Sequence, residues 1–127
     1  MTGENPRGQV TIRTIAMPRD TNANGDIFGG WLLSQMDLAA GVLGKEHSRG
    51  RIATVAIQSM TFLLPVKVGD MISCYAEMLK VGRTSMTMHI EAWVHTASSP
   101  TQLNKVTEGT FVLVAIDDTG RPRPIPT

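Results

Sequence analysis

Residues 21–47 read TNANGDIFGGWLLSQMDLAAGVLGKEH, a polar, glycine-rich loop that runs straight into a long helical pattern. Asn22, Asn24, Gly25 and Asp26 are turn formers. From Phe28 the apolar residues Leu32, Met36, Ala39 and Leu43 recur at helical spacing. That spacing predicts a helix from Gly29 or Gly30 to His47, about 27 Å long at 1.5 Å per residue. Ser48, Arg49 and Gly50 end it, and His47 suits a capping role at its C-terminus. Gly29 and Gly30 leave room for another group to approach the helix start, where unpaired N–H groups and a partial positive charge favour an oxyanion. Two turns on, Asp37 shares a stripe with Gly30, Leu33, Ala40, Gly41 and Gly44. A carboxylate among small and apolar neighbours, downstream of such a helix start, is the layout of an active site.

Outward from the helix, the chain alternates. Residues 9–16 read as a strand, and residues 18–25 as a loop. After the helix, residues 52–63 are rich in β-branched and apolar side chains and stop at Pro65 and the Gly69-Asp70 turn. Residues 71–80 form the next strand, and Val81-Gly82-Arg83 turns the chain into residues 84–96, where Met86, Met88, Ile90, Ala92 and Val94 oppose Thr87, His89, Glu91, Trp93 and His95. One of those faces must be core. Residues 97–101 read as loop and 103–116 as a last long strand. One strand, a long helix and four closely connected strands specify an α+β fold with an antiparallel sheet, because parallel neighbours would need long crossovers. A single helix covers one face of such a sheet. Strand edges and outer apolar residues such as Trp93 then need cover, which self-association supplies.

The 127 residues suffice for one domain, taken as residues 9–120, with residues 1–8 and the proline-rich 121–127 having the composition of tails. A formal charge of +1 with mixed signs advertises no nucleic-acid face. No apolar stretch approaches a membrane span, the N-terminal residues lack the apolar core of a secretion signal, and the lone Cys74 permits no internal disulfide, so the expectation is a cytoplasmic protein.

Three segments, AMPRDTNANGDIFGGWLLSQMD (residues 16–37), TVAIQSMTFLLPVKVGD (54–70) and KVGRTS (80–85), strongly resemble the short bacterial acyl-CoA thioesterases of the YciA type, in the hot-dog fold superfamily. The likeness runs over residues 10–124. It implies a long helix wrapped by a curved antiparallel sheet, paired into a homodimer with a continuous sheet and assembled further as a trimer of dimers. It also implies hydrolysis of an acyl-CoA thioester to a free acid and coenzyme A, with no cofactor, since coenzyme A is part of the substrate. Asp37 matches the helix carboxylate that activates water or attacks the thioester. Asp26 matches a loop position that helps place the water or carbonyl, and the Gly30 amide, with that of Gly29, matches the donor to the thioester oxygen. Active sites of this kind form between two subunits, so Asp26 and Asp37 of one site can belong to different chains. Leu64 stands where relatives often carry a basic residue.

The chemistry of the residues agrees with that reading and leaves competing roles open. A free aspartate titrates near about 3.9 and is a poor base at neutral pH unless burial disfavours its charged form. Asp26 is equally suited to capping the helix. Asn22 shapes the loop, as does Asn24 unless it contacts substrate. Lys80, Gly82, Arg83 and Ser85 around the Val81-Gly82 turn offer amides and cations to coenzyme A phosphates, with Arg49 and Arg51 as second candidates. Cys74 reads as a small core residue without a basic neighbour. His89 and His95 lie about 20 Å apart along a strand, too far to share a metal, so no metal cluster is expected. Two alternatives remain, a hot-dog enoyl thioester hydratase or dehydratase, disfavoured by the absence of His in residues 21–37, and a nonhydrolytic acyl-CoA sensor. The preferred acyl chain depends on packing around Leu33, Met60 and Met86.

Overall fold

A computed structural model describes residues 5–96 and 99–127. The elements run β1 (Gln9–Ile15), a single 3-10 turn at Pro18–Asp20, α1 (Gly29–Ser48), β2 (Ile52–Phe62), β3 (Met71–Val81), β4 (Ser85–Thr96) and β5 (Ser99–Ala115). The strands form one open antiparallel sheet in the order β1-β3-β4-β5-β2, with α1 laid against all five. This is the α+β architecture that the pattern predicts, with the one-helix, antiparallel layout that the hot-dog resemblance implies. The last strand starts earlier than the periodicity suggests, at Ser99 rather than residue 103.

The helix buries Leu32, Met36, Ala39, Ala40 and Gly44 against Met86, Met88, Ile90, Phe111 and Leu113 of the sheet. Gly44 is where the two approach most closely: an added Cβ would lie 3.2 Å from Ile52 Cδ1 and Leu113 Cδ2 and 3.3 Å from Met88 Cε. The helix ends at Arg49, which takes the left-handed conformation and donates its N–H to the Lys45 carbonyl at 2.8 Å. His47 lies exposed in the last turn, where a basic residue suits the helix C-terminus, and the Arg49 backbone closes the helix. Met86 is fully enclosed in the core.

Both faces of β4 are buried, where one was expected to need a partner. Trp93 is 2% exposed within the single chain, so the outer cover assigned to self-association is already present. Its indole N–H donates to Glu91 Oε1 at 2.8 Å, and the Arg7 backbone N–H reaches the same oxygen at 3.2 Å. The stretch beyond Gly120 also packs. Ile125 is buried and donates its N–H to the Arg83 carbonyl, while the Arg123 guanidinium donates to the carbonyls of Ile116, Ser48 and Arg51. A Cβ at Gly50 would lie 2.6 Å from Arg123 Nη2, so the guanidinium passes close over this turn.

One long edge stays open. β2 pairs with β5 on one side only, is bent by irregularities at residues 54–56 and 58–61, and carries exposed Val55, Ile57 and Phe62.

Candidate active site

The loop before α1 is a closed clasp. Thr21 bridges Ile27, the Asn22 N–H donates to the Asp26 carbonyl at 2.7 Å, and the Asn22 side-chain oxygen accepts from the N–H groups of Asn24 (2.9 Å) and Asp26 (3.2 Å). Asn22 therefore shapes the loop as expected, and Asn24 is exposed on its tip. Gly25 adopts φ +81°, which an L side chain rarely tolerates. The Ile27 N–H donates to the Val66 carbonyl, pinning the clasp to the connector between β2 and β3.

Asp26 does not cap the helix. Phe28 occupies the N-cap position without a side-chain hydrogen bond, and the Asp26 carboxylate instead takes a 2.5 Å contact from the Lys67 ammonium on that connector. The first N–H groups of α1, including those of Gly29 and Gly30, have no carbonyl partner within the helix. Aromatic rings flank them: a Cβ on Gly29 would lie 3.3 Å from the Phe62 ring, and one on Gly30 the same distance from the Phe28 ring. Both glycines are exposed, so their amides are open to an incoming group.

Asp37 lies two turns further on, half-buried, with Oδ1 accepting a 2.5 Å hydrogen bond from the Thr54 hydroxyl of β2. It heads a groove of about 530 Å³ between α1 and β2 that continues along Leu38, Val42 and Ile52. The complete shelter expected from its small neighbours is not supplied by one chain. Gly30 and Asp37 are about 10 Å apart along the helix axis, and Asp26 and Asp37 are held by different partners. The sheet register puts the Lys80, Gly82, Arg83 and Ser85 hairpin at the other end of the molecule from the helix start. Ser85 lies opposite Val114, which faces Ala53, whereas Phe62 marks the Gly29 end, nine residues or about 30 Å along β2. Within the hairpin the Gly82 N–H donates to the Ser85 carbonyl at 2.8 Å, and Lys80 and Arg83 are exposed. Arg51 is committed to the carbonyls of Asp117 and Asp118.

One grouping lay outside the sequence reading. His89, Glu91 and Glu108 bring possible ligand atoms within 4.8 Å of one another, although no metal cluster was expected. Glu108 comes from β5, directly opposite Glu91, which no spacing along β4 reveals. Protein groups engage these side chains: His89 Nε2 contacts Glu91 at 2.8 Å and Glu108 Oε1 at 3.4 Å, and Lys105 meets Glu108 Oε1 at 3.3 Å. Burial pushes the Glu91 carboxyl up, but hydrogen bonds from Trp93, His89 and the Arg7 backbone outweigh it and hold it below the usual carboxylate range. This is a charge-compensated network. Cys74 is fully enclosed, and burial pushes its thiol up to about 12, as a core cysteine should behave.

A sequence model of the thioesterase superfamily matches residues 24–97, which take in the clasp, α1 and the strands β2 to β4. The chain belongs to the thioesterase superfamily. Among curated thioesterases it is similar to the acyl-CoA thioester hydrolase YciA of Salmonella typhimurium, 54% identical over 123 residues covering 95% of this chain and 92% of that one. That places it with the YciA-type members. Among solved thioesterases, a hexameric enzyme from Yersinia pestis superposes with a TM-score of 0.92 at 51% identity, over 97% of this chain and 99% of the other. A hexameric broad specificity acyl-coenzyme A thioesterase superposes with a TM-score of 0.93 at 48% identity, over 98% and 86%.

Proposed function

We propose that the protein hydrolyses acyl-CoA thioesters to a free carboxylic acid and coenzyme A, in a site completed by a second copy of the chain. The observation that carries this is Asp37, a carboxylate anchored by Thr54 at the head of an apolar groove, on the same helix as exposed amides that no side chain caps. Asp37 takes a proton from water as the water oxygen attacks the thioester carbonyl. The charge that develops on the carbonyl oxygen is met by the Gly30 amide, assisted by Gly29, and the intermediate collapses by breaking the carbon–sulfur bond, the departing sulfur taking the proton back from Asp37 to leave as the coenzyme A thiol. Asp26, held by Lys67, orients the water or carbonyl. One oxyanion donor is worth about 3 kcal/mol of transition-state stabilisation, and a thioester is activated enough for a modest base.

The open edge of β2 supports assembly. A two-fold, antiparallel pairing of two β2 strands sets the Phe62 end of one beside the Ile52 end of the other, which covers Val55 and Ile57 and brings one chain's helix start towards its partner's Asp37. The same pairing carries the hairpin of Lys80, Gly82, Arg83 and Ser85 towards the partner's site, where it holds coenzyme A phosphates with Asn24 at the rim. Such dimers then associate in threes, in keeping with the hexameric relatives. No cofactor enters these steps.

Asp37→Asn is expected to keep the fold and acyl-CoA binding while turnover, followed by thiol release, falls by about a hundredfold or more. Hydrolysis by this variant at the wild-type rate would remove Asp37 from the chemistry, and tight binding without thiol release by the native protein would make it a sensor.

A further inference from the structure

The groove below Asp37 contains a glycine that the fold does not require. Gly41 sits one turn beyond Asp37, in mid-helix, where glycine is a weaker choice than alanine. Its backbone is ordinary, since the left-handed glycines are Gly8, Gly25, Gly69 and Gly120. Nor does packing exclude a side chain: the nearest atom to an added Cβ is Ile52 Cδ1 at 3.8 Å, an ordinary contact, whereas Gly44, three residues on, would meet three atoms within 3.3 Å. Gly44 is glycine so that helix and sheet can meet. Gly41 has no such reason, and the space it leaves opens into the groove headed by Asp37.

We propose that Gly41 is the specificity-determining position for the acyl group: the acyl chain runs from the carbonyl at Asp37 down the groove between α1 and β2, over Gly41, towards Lys45. This rests on the assignment of Asp37 to the reaction. The composition of the groove fits an acyl thioester. Its head is polar, with the Asp37 carboxylate and Thr54 hydroxyl joined at 2.5 Å, and its continuation is apolar, walled by Leu38, Val42 and Ile52. A carbonyl followed by an alkyl tail has the same order. Gly41 lies about 6 Å from Asp37 along the axis, so the first carbons pass before it is reached and longer chains must cross it. The site is therefore selective by length at Gly41 and indifferent to it for the shortest acyl groups.

The test is a series of saturated acyl-CoA substrates of increasing length, assayed by thiol release with the wild-type protein, Gly41→Ala, Gly41→Leu and Asp37→Asn, with oligomeric state checked by light scattering. Gly41→Leu should lower kcat/KM for the long chains by at least about tenfold relative to acetyl-CoA, the scale of discrimination set by a methylene-sized change in an apolar pocket. Gly41→Ala should show the same trend more weakly, and both should keep the native oligomer. Equal loss at every length, an unchanged profile in both variants, or dissociation of the oligomer accompanying the loss would overturn the assignment, the last by giving the groove to a second copy. The two readings separate cleanly. If Asp37→Asn turns over normally, the catalytic assignment fails whatever Gly41 does; if it is inactive and the length profile stays put, only the role of Gly41 fails.

Discussion

At the scale of single residues, the candidate site contrasts groups that face solvent or the groove with groups shut away from both. Asp37 and Asp26 are each engaged by one neighbour, Thr54 and Lys67, and each keeps access to the outside. Cys74 is the opposite case, with no exposed surface and a thiol pushed up to about 12. Only the thiolate reacts readily, so at pH 8 the population available to a reagent is negligible while the sheet is intact. The native protein is expected to resist a disulfide reagent for as long as a thioesterase assay takes, and to react with one equivalent once denatured. Rapid labelling of the native protein would show that β3 opens far more easily than its burial implies. The same property keeps the protein's own thiol out of an assay that detects released coenzyme A.

At the scale of elements, β4 departs most from a simple two-faced strand. Its inner face carries Met86, Met88, Ile90 and Ala92 against the helix, but its outer face is buried too, around Glu91. That carboxyl stays ionised because Trp93, His89 and the Arg7 backbone hydrogen-bond it, while Glu108 opposite is balanced by Lys105 and His89. A carboxylate with a depressed folded pKa adds stability that is fully present above its unfolded value, about 4.3 for glutamate, and is lost as pH falls through the folded value. Glu91→Gln is therefore expected to cost about 1–3 kcal/mol at pH 7, with the gap to wild type narrowing as pH drops below about 4. Urea unfolding at several pH values measures this directly. A gap that stays constant down to pH 3 would mean that the network contributes shape and not charge.

At the scale of the whole molecule, the proposed site needs more than one chain. The helix start and the Asp37 carboxylate are about 10 Å apart on one rigid helix, and the basic hairpin lies at the far end of the sheet. An antiparallel dimer resolves both separations. The sharpest check is complementation: because the resemblance allows Asn as well as Asp at position 26, Asp26→Ala and Asp37→Asn chains, each expected to be inactive alone, are co-expressed and the mixed dimers verified. If one site draws Asp26 and Asp37 from opposite subunits, a mixed dimer has one doubly damaged site and one intact site. Random pairing makes about half the dimers mixed, so activity should recover towards about a quarter of wild type. Verified mixed dimers with no recovery would assign each protomer a complete site of its own.

The sequence alone determined the elements and their order, because helical and alternating periodicity, turn residues and glycines act over a few neighbours. The clasp, the glycines at the helix start and Asp37 two turns later were legible for the same reason, since all lie within seventeen consecutive residues. Tertiary structure decided whatever depends on strands meeting. Glu108 faces Glu91 only through the register of β4 and β5, Lys67 reaches Asp26 only because the β2–β3 connector folds over the clasp, and Trp93 is enclosed by parts of its own chain. Arg123 and Ile125 show the limit most plainly, for a proline-rich stretch with the composition of a tail becomes ordered by docking on the helix end and the β3–β4 turn. Local pattern reports what a segment prefers; its partners are set by cross-strand geometry, which brings together residues too far apart in the chain for any spacing to connect.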